Sequence, residues 1–229
     1  MFSGFSKETG EFLWELSFNN ERPWFQAHKE QFERVLNEPF KALAHDVYDE
    51  LCRLLPGEEF SVHISRIYRD ARRLYGRGPY KDHLWFTLTP SGASDYGPAF
   101  WFEIGPSDYS YGLGFWAPTA AYMEALRRAI AANPAGFERL VTEIAPIRGF
   151  ALRGEEFRRP KGDFGEIINP WYNRKYLDYG LRRDHDAQLY SGKLPKKMAK
   201  DFARLMPLCR FMADAGSFAE APKEEKGSL

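Results

Sequence analysis

The spacing of apolar residues changes period twice along this chain, and that double change restricts it to a mixed fold. Over the first sixty residues apolar positions recur every three or four places, the spacing of a helix with one buried face. Ser6 can cap a first helix carrying Phe12, Leu13 and Leu16, and Asn19-Asn20 is a stop, because Asn tolerates the left-handed conformation. Pro23 fits a first helical turn and precedes the stripe Trp24, Phe25, His28, Phe32, Val35 and Leu36. Pro39 restarts the pattern through Phe40, Leu43, Val47, Leu51, Leu54 and Leu55, and Pro56-Gly57 closes it.

From Ser61 the period becomes two. Val62, Ile64, Arg66 and Tyr68 fall on one side; His63, Ser65, Ile67 and Arg69 fall on the other. Leu84, Phe86 and Leu88 alternate with Trp85, Thr87 and Thr89, and Phe100, Phe102 and Ile104 with Trp101 and Glu103. Gly105-Pro106-Ser107-Asp108 predicts a turn into a strand with Tyr111, Leu113 and Phe115 on one face. Gly112 and Gly114 opposite them leave room for a bulge or a close neighbour. Helical spacing returns after the cap Thr119 with Tyr122, Met123, Leu126 and Ile130. Pro134 breaks it, and a second short helix runs to about Ile144. Residues 146–192 read as irregular with one strand near Phe150–Leu152, and Pro195 opens a last helix through Met198, Phe202, Leu205, Met206 and Cys209. The expectation is one α+β domain over residues 1–216. A mostly antiparallel sheet of four or five strands packs with helices from both chain ends, and 217–229 form a polar, disordered tail.

Charge narrows the function classes. Lys+Arg and Asp+Glu each total 32 in 229 residues, so the net charge is zero, which argues against a dedicated nucleic-acid binder. No apolar run reaches the roughly 20 residues of a membrane span, and the start shows no basic region followed by an apolar run. Cys52 and Cys209 are isolated and lie on helical apolar stripes, which suits a reducing cytoplasm and core packing better than a nucleophile.

The densest polar stretch is Arg66–His83. It places Arg66, Arg69, Arg72, Arg73, Arg77 and Lys81 within sixteen residues, around Gly76, Gly78 and Pro79. Guanidinium forks suit carboxylate and phosphate, and a glycine loop can turn backbone N–H groups to an anion. Arg69 and Arg72 would clamp such a group. Tyr80 would donate a hydroxyl, Lys81 would add a point charge, and Asp70 would orient an Arg. The competing reading is a solvated basic loop paired locally with Asp70 and Asp82. Strand period carries Arg66 toward the side of Val62 and Ile64, where a buried Arg would need Glu103 or Asp70 as partner. Asp70 and Glu103 are also the candidate general bases.

Trp85, Trp101, Tyr109, Tyr111, Trp116, Trp171 and Tyr172 lie on or near the sheet, either as core packing or as a ligand wall. His28, His45, His63, His83 and His185 are scattered, so no metal site is expected. No Walker A, Gly-x-Ser-x-Gly or dinucleotide-binding pattern with the right flanks occurs, and no cofactor is assigned.

Asn19-Asn20-Glu-Arg-Pro-Trp24-Phe25, Arg66-Ile-Tyr-Arg69-Asp70-x-Arg72, Pro79-Tyr80-Lys81 and the block Leu152–Gly162 together resemble a bacterial conserved hypothetical family, domain of unknown function 2461, over residues 2 to 214. The resemblance implies a single domain and no particular activity. Where that family usually reads Asp-Lys, this chain has Gly76-Arg77. Arg69, Asp70, Arg72, Tyr80 and Lys81 match, which favours an anionic small molecule as ligand, with or without a reaction. The alternatives are a non-catalytic protein docking an acidic partner and, less favoured, RNA or single-stranded DNA binding. Oligomeric state is not legible.

Overall fold

A computed structural model describes residues 1–70, 72, 78–92 and 97–220, with side chains described as far as 216. The first helix, α1 (Lys7–Phe18), starts at the N-cap Ser6 and buries Phe12, Leu13 and Leu16, as its spacing predicts. It does not end in a left-handed residue: Asn19 has φ −113°. Instead the Asn19 side chain donates to the Glu15 carbonyl at 2.9 Å, satisfying a helix-end acceptor. Next come α2 (Arg22–Ala27), with Pro23 in its first turn, and α3 (Lys29–Phe32). One π turn over Glu33–Asn37 leads into α4 (Glu38–Leu54). The predicted stripe sends Phe25, Phe32, Val35, Leu36, Phe40, Leu43, Val47 and Leu51 into the core.

The sheet has six antiparallel strands rather than four or five. They are β1 (Phe60–Ile64), β2 (Leu84–Pro90), β3 (Ala99–Ile104), β4 (Asp108–Gly114), β5 (Phe150–Arg153) and β6 (Asp178–Asp184), in the order β1-β2-β3-β4-β6-β5. The unexpected strand is β6. Its outward positions are Asp178, Gly180, Arg182 and Asp184, and only Tyr179 and Leu181 point inward as apolar residues. Inserted between β4 and β5, it draws its stability from pairing on both sides rather than from its own composition.

One face of the sheet carries Phe86, Phe100, Phe102, Tyr111 and Leu113. Phe40 of α4 packs on Phe86 and Phe102, and Phe202 packs on Phe100 with centroids 4.8 Å apart. Phe202 lies on α8 (Leu194–Glu220), which continues past Pro207. Residues 221–229 of the expected tail lie outside the described residues. Along the chain α5 (Ala120–Ala132), capped by the Thr119 hydroxyl, and α6 (Pro134–Ile144) stand between β4 and β5, and the short α7 (Asn169–Tyr172) between β5 and β6. Cys209 is buried on α8, and that burial pushes its thiol up to about 12. The other sheet face carries Trp85, Thr87, Trp101, Glu103 and Ser110, all half-buried.

Candidate functional site

The register of β1 breaks at Ser65, and the break decides where the charged segment points. Ser65 N donates to the Trp85 carbonyl at 2.8 Å, as in a ladder, but Trp85 N donates to the Ser65 hydroxyl at 2.9 Å. A side chain has taken the place of the backbone acceptor, and the strand ends at Ile64. Ser65 and Ile67 are then buried, and Arg66 turns outward. The expectation of a core-facing Arg66 is thus corrected: one phase shift moves it to water, where it makes no ion pair with a described residue.

Beyond Ser65 the chain folds back on itself. Arg69 N donates to the Pro79 carbonyl at 2.8 Å, Lys81 N donates to the Ile67 carbonyl at 2.7 Å, and Tyr68 bridges Tyr80. Asn20 locks this finger to the N-terminal helices. Its side-chain amide takes a hydrogen bond from Tyr80 N and gives one to Tyr80 O, both 2.9 Å, imitating a neighbouring strand. Gly78 is required there, because a Cβ would lie 2.3 Å from the Asn20 oxygen. The Tyr80 ring stacks on Phe25 with centroids 4.1 Å apart and is 1% exposed. Burial, aided by Tyr68, raises its pKa, so the phenol stays protonated inside the fold. Tyr80 therefore anchors the finger by packing, and its hydroxyl is withdrawn from the surface.

Arg69 donates through Nε to the Tyr80 carbonyl at 2.6 Å and reaches Asp82 at 3.4 Å. The Lys81 ammonium donates to the Arg66 carbonyl at 2.7 Å and lies 5.8 Å from the centre of the Trp85 ring. Burial first, and the nearby Arg69 charge second, lower the Lys81 pKa. Asp82 is opposed by its own burial, yet the hydrogen bond from His83 (2.9 Å) together with backbone and Arg69 interactions holds its pKa below the usual carboxylate value. Asp70 does orient an Arg. It accepts from Arg72 N at 3.0 Å, Nε at 3.1 Å and a terminal nitrogen at 3.0 Å. The site is thus divided: Arg66, Arg69, Tyr80 and Lys81 are joined by hydrogen bonds, and Asp70 and Arg72 form a separate exposed pair. Arg73, Gly76 and Arg77 lie outside the described residues.

Glu103 reaches this group through the sheet. It is the cross-strand partner of Trp85 on one side and Ser110 on the other, and its carboxylate forms no hydrogen bond or ion pair with a described residue. Around Trp85 gather His63 (5.1 Å between centroids) and Trp116 (5.8 Å). Tyr109, Tyr111 and Trp171 are instead buried in the core. Tyr111 donates to the buried carboxylate of Asp201 at 2.8 Å, tying the sheet to α8. The aromatic group therefore splits by sheet face.

Residue reasoning overlooked a second polar pair on the outer face. Arg153 donates through Nε to Asp178 at 3.1 Å and lies over Trp101 at 5.9 Å. One Arg153 terminal nitrogen and one Asp178 oxygen are buried without a hydrogen-bond partner among the described residues. Burial raises the Asp178 pKa, against the opposing pull of Arg153. Arg153 stands in the charged block Leu152–Gly162, the only sequence signal that could have marked it.

Among the described residues no group of three or more His, Cys, Asp or Glu side chains could hold a metal ion, and no helix is long and apolar enough to cross a membrane. No curated protein matches the chain. A model of the conserved hypothetical proteins called domain of unknown function 2461 matches residues 8–211, nearly the whole of the 229, and the chain belongs to that family.

Proposed function

We propose that the protein recognises an anionic small molecule, a phosphate or carboxylate compound, at the Arg66–Lys81 finger. The observation that carries this reading is the placing of two cations together. Burial first, and the Arg69 charge second, disfavour the Lys81 ammonium, whose hydrogen bond goes to the Arg66 carbonyl; Asp82 pairs with Arg69, and among the described residues no carboxylate pairs with Lys81. A bound anion relieves that repulsion, and desolvation strengthens its attraction to Lys81. Exposed Arg66 can close on the same group, while Arg69 is committed to the Tyr80 carbonyl and Asp82 and shapes the finger. Arg72, held by Asp70, stands as a second guanidinium further along the loop.

If a reaction follows binding, Glu103 is the better placed of the two candidate bases, since Asp70 is occupied by Arg72 and Glu103 has no described partner. Two unpaired cysteines, Cys52 and Cys209, support a cytoplasmic setting for the ligand.

The test is a thermal-shift and calorimetric titration of the purified chain with inorganic phosphate and a panel of phosphorylated and carboxylated metabolites. Ligand at about a hundred times Kd stabilises the fold by about 2.7 kcal/mol, a shift well within measurement. Lys81→Gln and Arg66→Gln remove charge from half-exposed or exposed positions and leave the Tyr80 anchor alone; each is expected to weaken binding at least tenfold. An anion bound equally well by wild type and Lys81→Gln, or no anion bound at all, overturns the reading.

A further inference from the structure

The outer sheet face says more about the ligand than its charge. Trp116 follows β4 and is 87% exposed, yet its ring lies against Trp85 with the planes only 22° apart. So large an apolar ring left in water is costly unless something covers it. Trp85 is shared by three further groups: His63 from β1, tilted by 33°; the Lys81 ammonium; and Glu103, its partner across the β2–β3 ladder. Cross-strand neighbours stand about 4.5–5.5 Å apart at Cβ, so the Glu103 carboxylate, without a partner among the described residues, belongs to the same surface. The arrangement has a direction. An aromatic platform lies in the middle, with cations Lys81 and Arg66 toward the finger and a free acceptor, Glu103, toward β3. A simple anion uses only one end of it.

We propose that the ligand of this site carries a planar ring as well as an anionic group. The ring lies on the Trp85–Trp116 surface, the anionic group meets Lys81 and Arg66, and an N–H or O–H on the ring donates to Glu103. This rests on the anion-binding reading above and deepens it. Stacking on an indole tolerates any flat π system, so the platform selects for flatness and the two ends select for charge and donors. Two sources share this chemistry, nucleoside monophosphates and hydroxylated aromatic carboxylates.

The experiment is calorimetric titration of the full chain with ribose 5-phosphate, adenosine monophosphate, guanosine monophosphate, benzoate and 4-hydroxybenzoate. At least one ring compound is expected to bind about tenfold to a hundredfold more tightly than ribose 5-phosphate, the range that base stacking supplies. Trp116→Ala, at a position that supports no core, is expected to erase that advantage and leave ribose 5-phosphate binding unchanged. Glu103→Ala, which removes the acceptor, is expected to reduce 4-hydroxybenzoate toward benzoate and to leave benzoate binding unchanged. Preference for the nucleotides or for the carboxylates names the source. Equal binding of ribose 5-phosphate and every ring compound, with Lys81→Gln still weakening all of them, overturns the ring and keeps the anion site. Binding of none overturns both.

Discussion

Thr9 is wholly buried in α1 and joins two helices through one hydroxyl. It donates to the Val35 carbonyl at 2.7 Å and accepts from Ser6 N at 3.3 Å. Val35 sits in the π turn, where the widened helix alters the usual backbone pairing and an outside donor is useful. Thr9→Val keeps the shape and removes the hydroxyl, leaving a buried carbonyl short of a donor. The expected cost is about 1–3 kcal/mol, read as a lower urea midpoint with an unchanged slope. An unchanged midpoint would show that the π turn satisfies its own carbonyl. Other side chains work in a similar way over longer distances. Asn20 serves the backbone of Tyr80, and Arg69 serves the Tyr80 carbonyl, so two residues expected to act through chemistry or turn conformation act first as braces.

At the scale of elements, the β4–β6 pairing depends on absent side chains. Gly112 and Gly180 face each other in register, and a Cβ on Gly112 would lie 2.4 Å from the Tyr179 carbonyl oxygen. A Cβ on Gly180 would lie 2.6 Å from the Tyr111 oxygen and 3.0 Å from an Arg153 nitrogen. The nearest neighbours, the Tyr179 and Tyr111 carbonyl oxygens, are backbone and cannot swing aside. Gly180→Ala is therefore expected to push the strands apart and to destabilise the fold by about 1–3 kcal/mol, measured as a fall in Tm. It should also loosen Arg153 from Asp178, since the guanidinium lies against this glycine. A Tm within error of wild type would mean that the strands relax without cost. The close approach agrees with the neighbour that Gly112 and Gly114 led one to expect.

At the scale of the molecule, α8 is the element on which the helical layer closes. Leu194, Met198, Phe202, Leu205, Met206, Leu208, Cys209 and Met212 are all buried along it. Phe202 reaches Phe100 and Tyr111 of the sheet, Phe211 reaches Phe137 of α6, and the Met212 carbonyl accepts from Tyr122 of α5 at 2.8 Å. Asp201 is buried on the same helix, held by Tyr111 and Lys197. A chain ending at Lys193 is expected to show no cooperative unfolding transition by circular dichroism, because the loss exposes the inner face of the sheet. A sharp transition in that truncated chain would show that α1–α4 and the sheet form a core without it. The opposite sheet face depends on none of this, which is why Trp116→Ala and Lys81→Gln can be read as binding variants.

Local order was legible because its causes are local. Ser6, Pro23, Thr119 and Pro134 act on the turn they occupy, and apolar residues three or four apart report the same helix face wherever that helix packs. The β3–β4 hairpin was legible for the same reason: its turn and both alternating runs lie within sixteen residues. The density of charge marked the Arg66–Lys81 segment as polar, but not that Asp70 and Arg72 pair apart from Arg66, Arg69 and Lys81. Tertiary structure alone decided the rest. Arg66 faces water because Ser65 pairs with Trp85 through its hydroxyl. β6 is a strand because β4 and β5 flank it. Tyr80 is a packing residue because Phe25 and Asn20, far away in the chain, take its ring and its backbone. Trp85 is a shared surface only because β1, the finger, β3 and the end of β4 meet there. Such contacts depend on which segments become neighbours, and residue spacing carries no record of that.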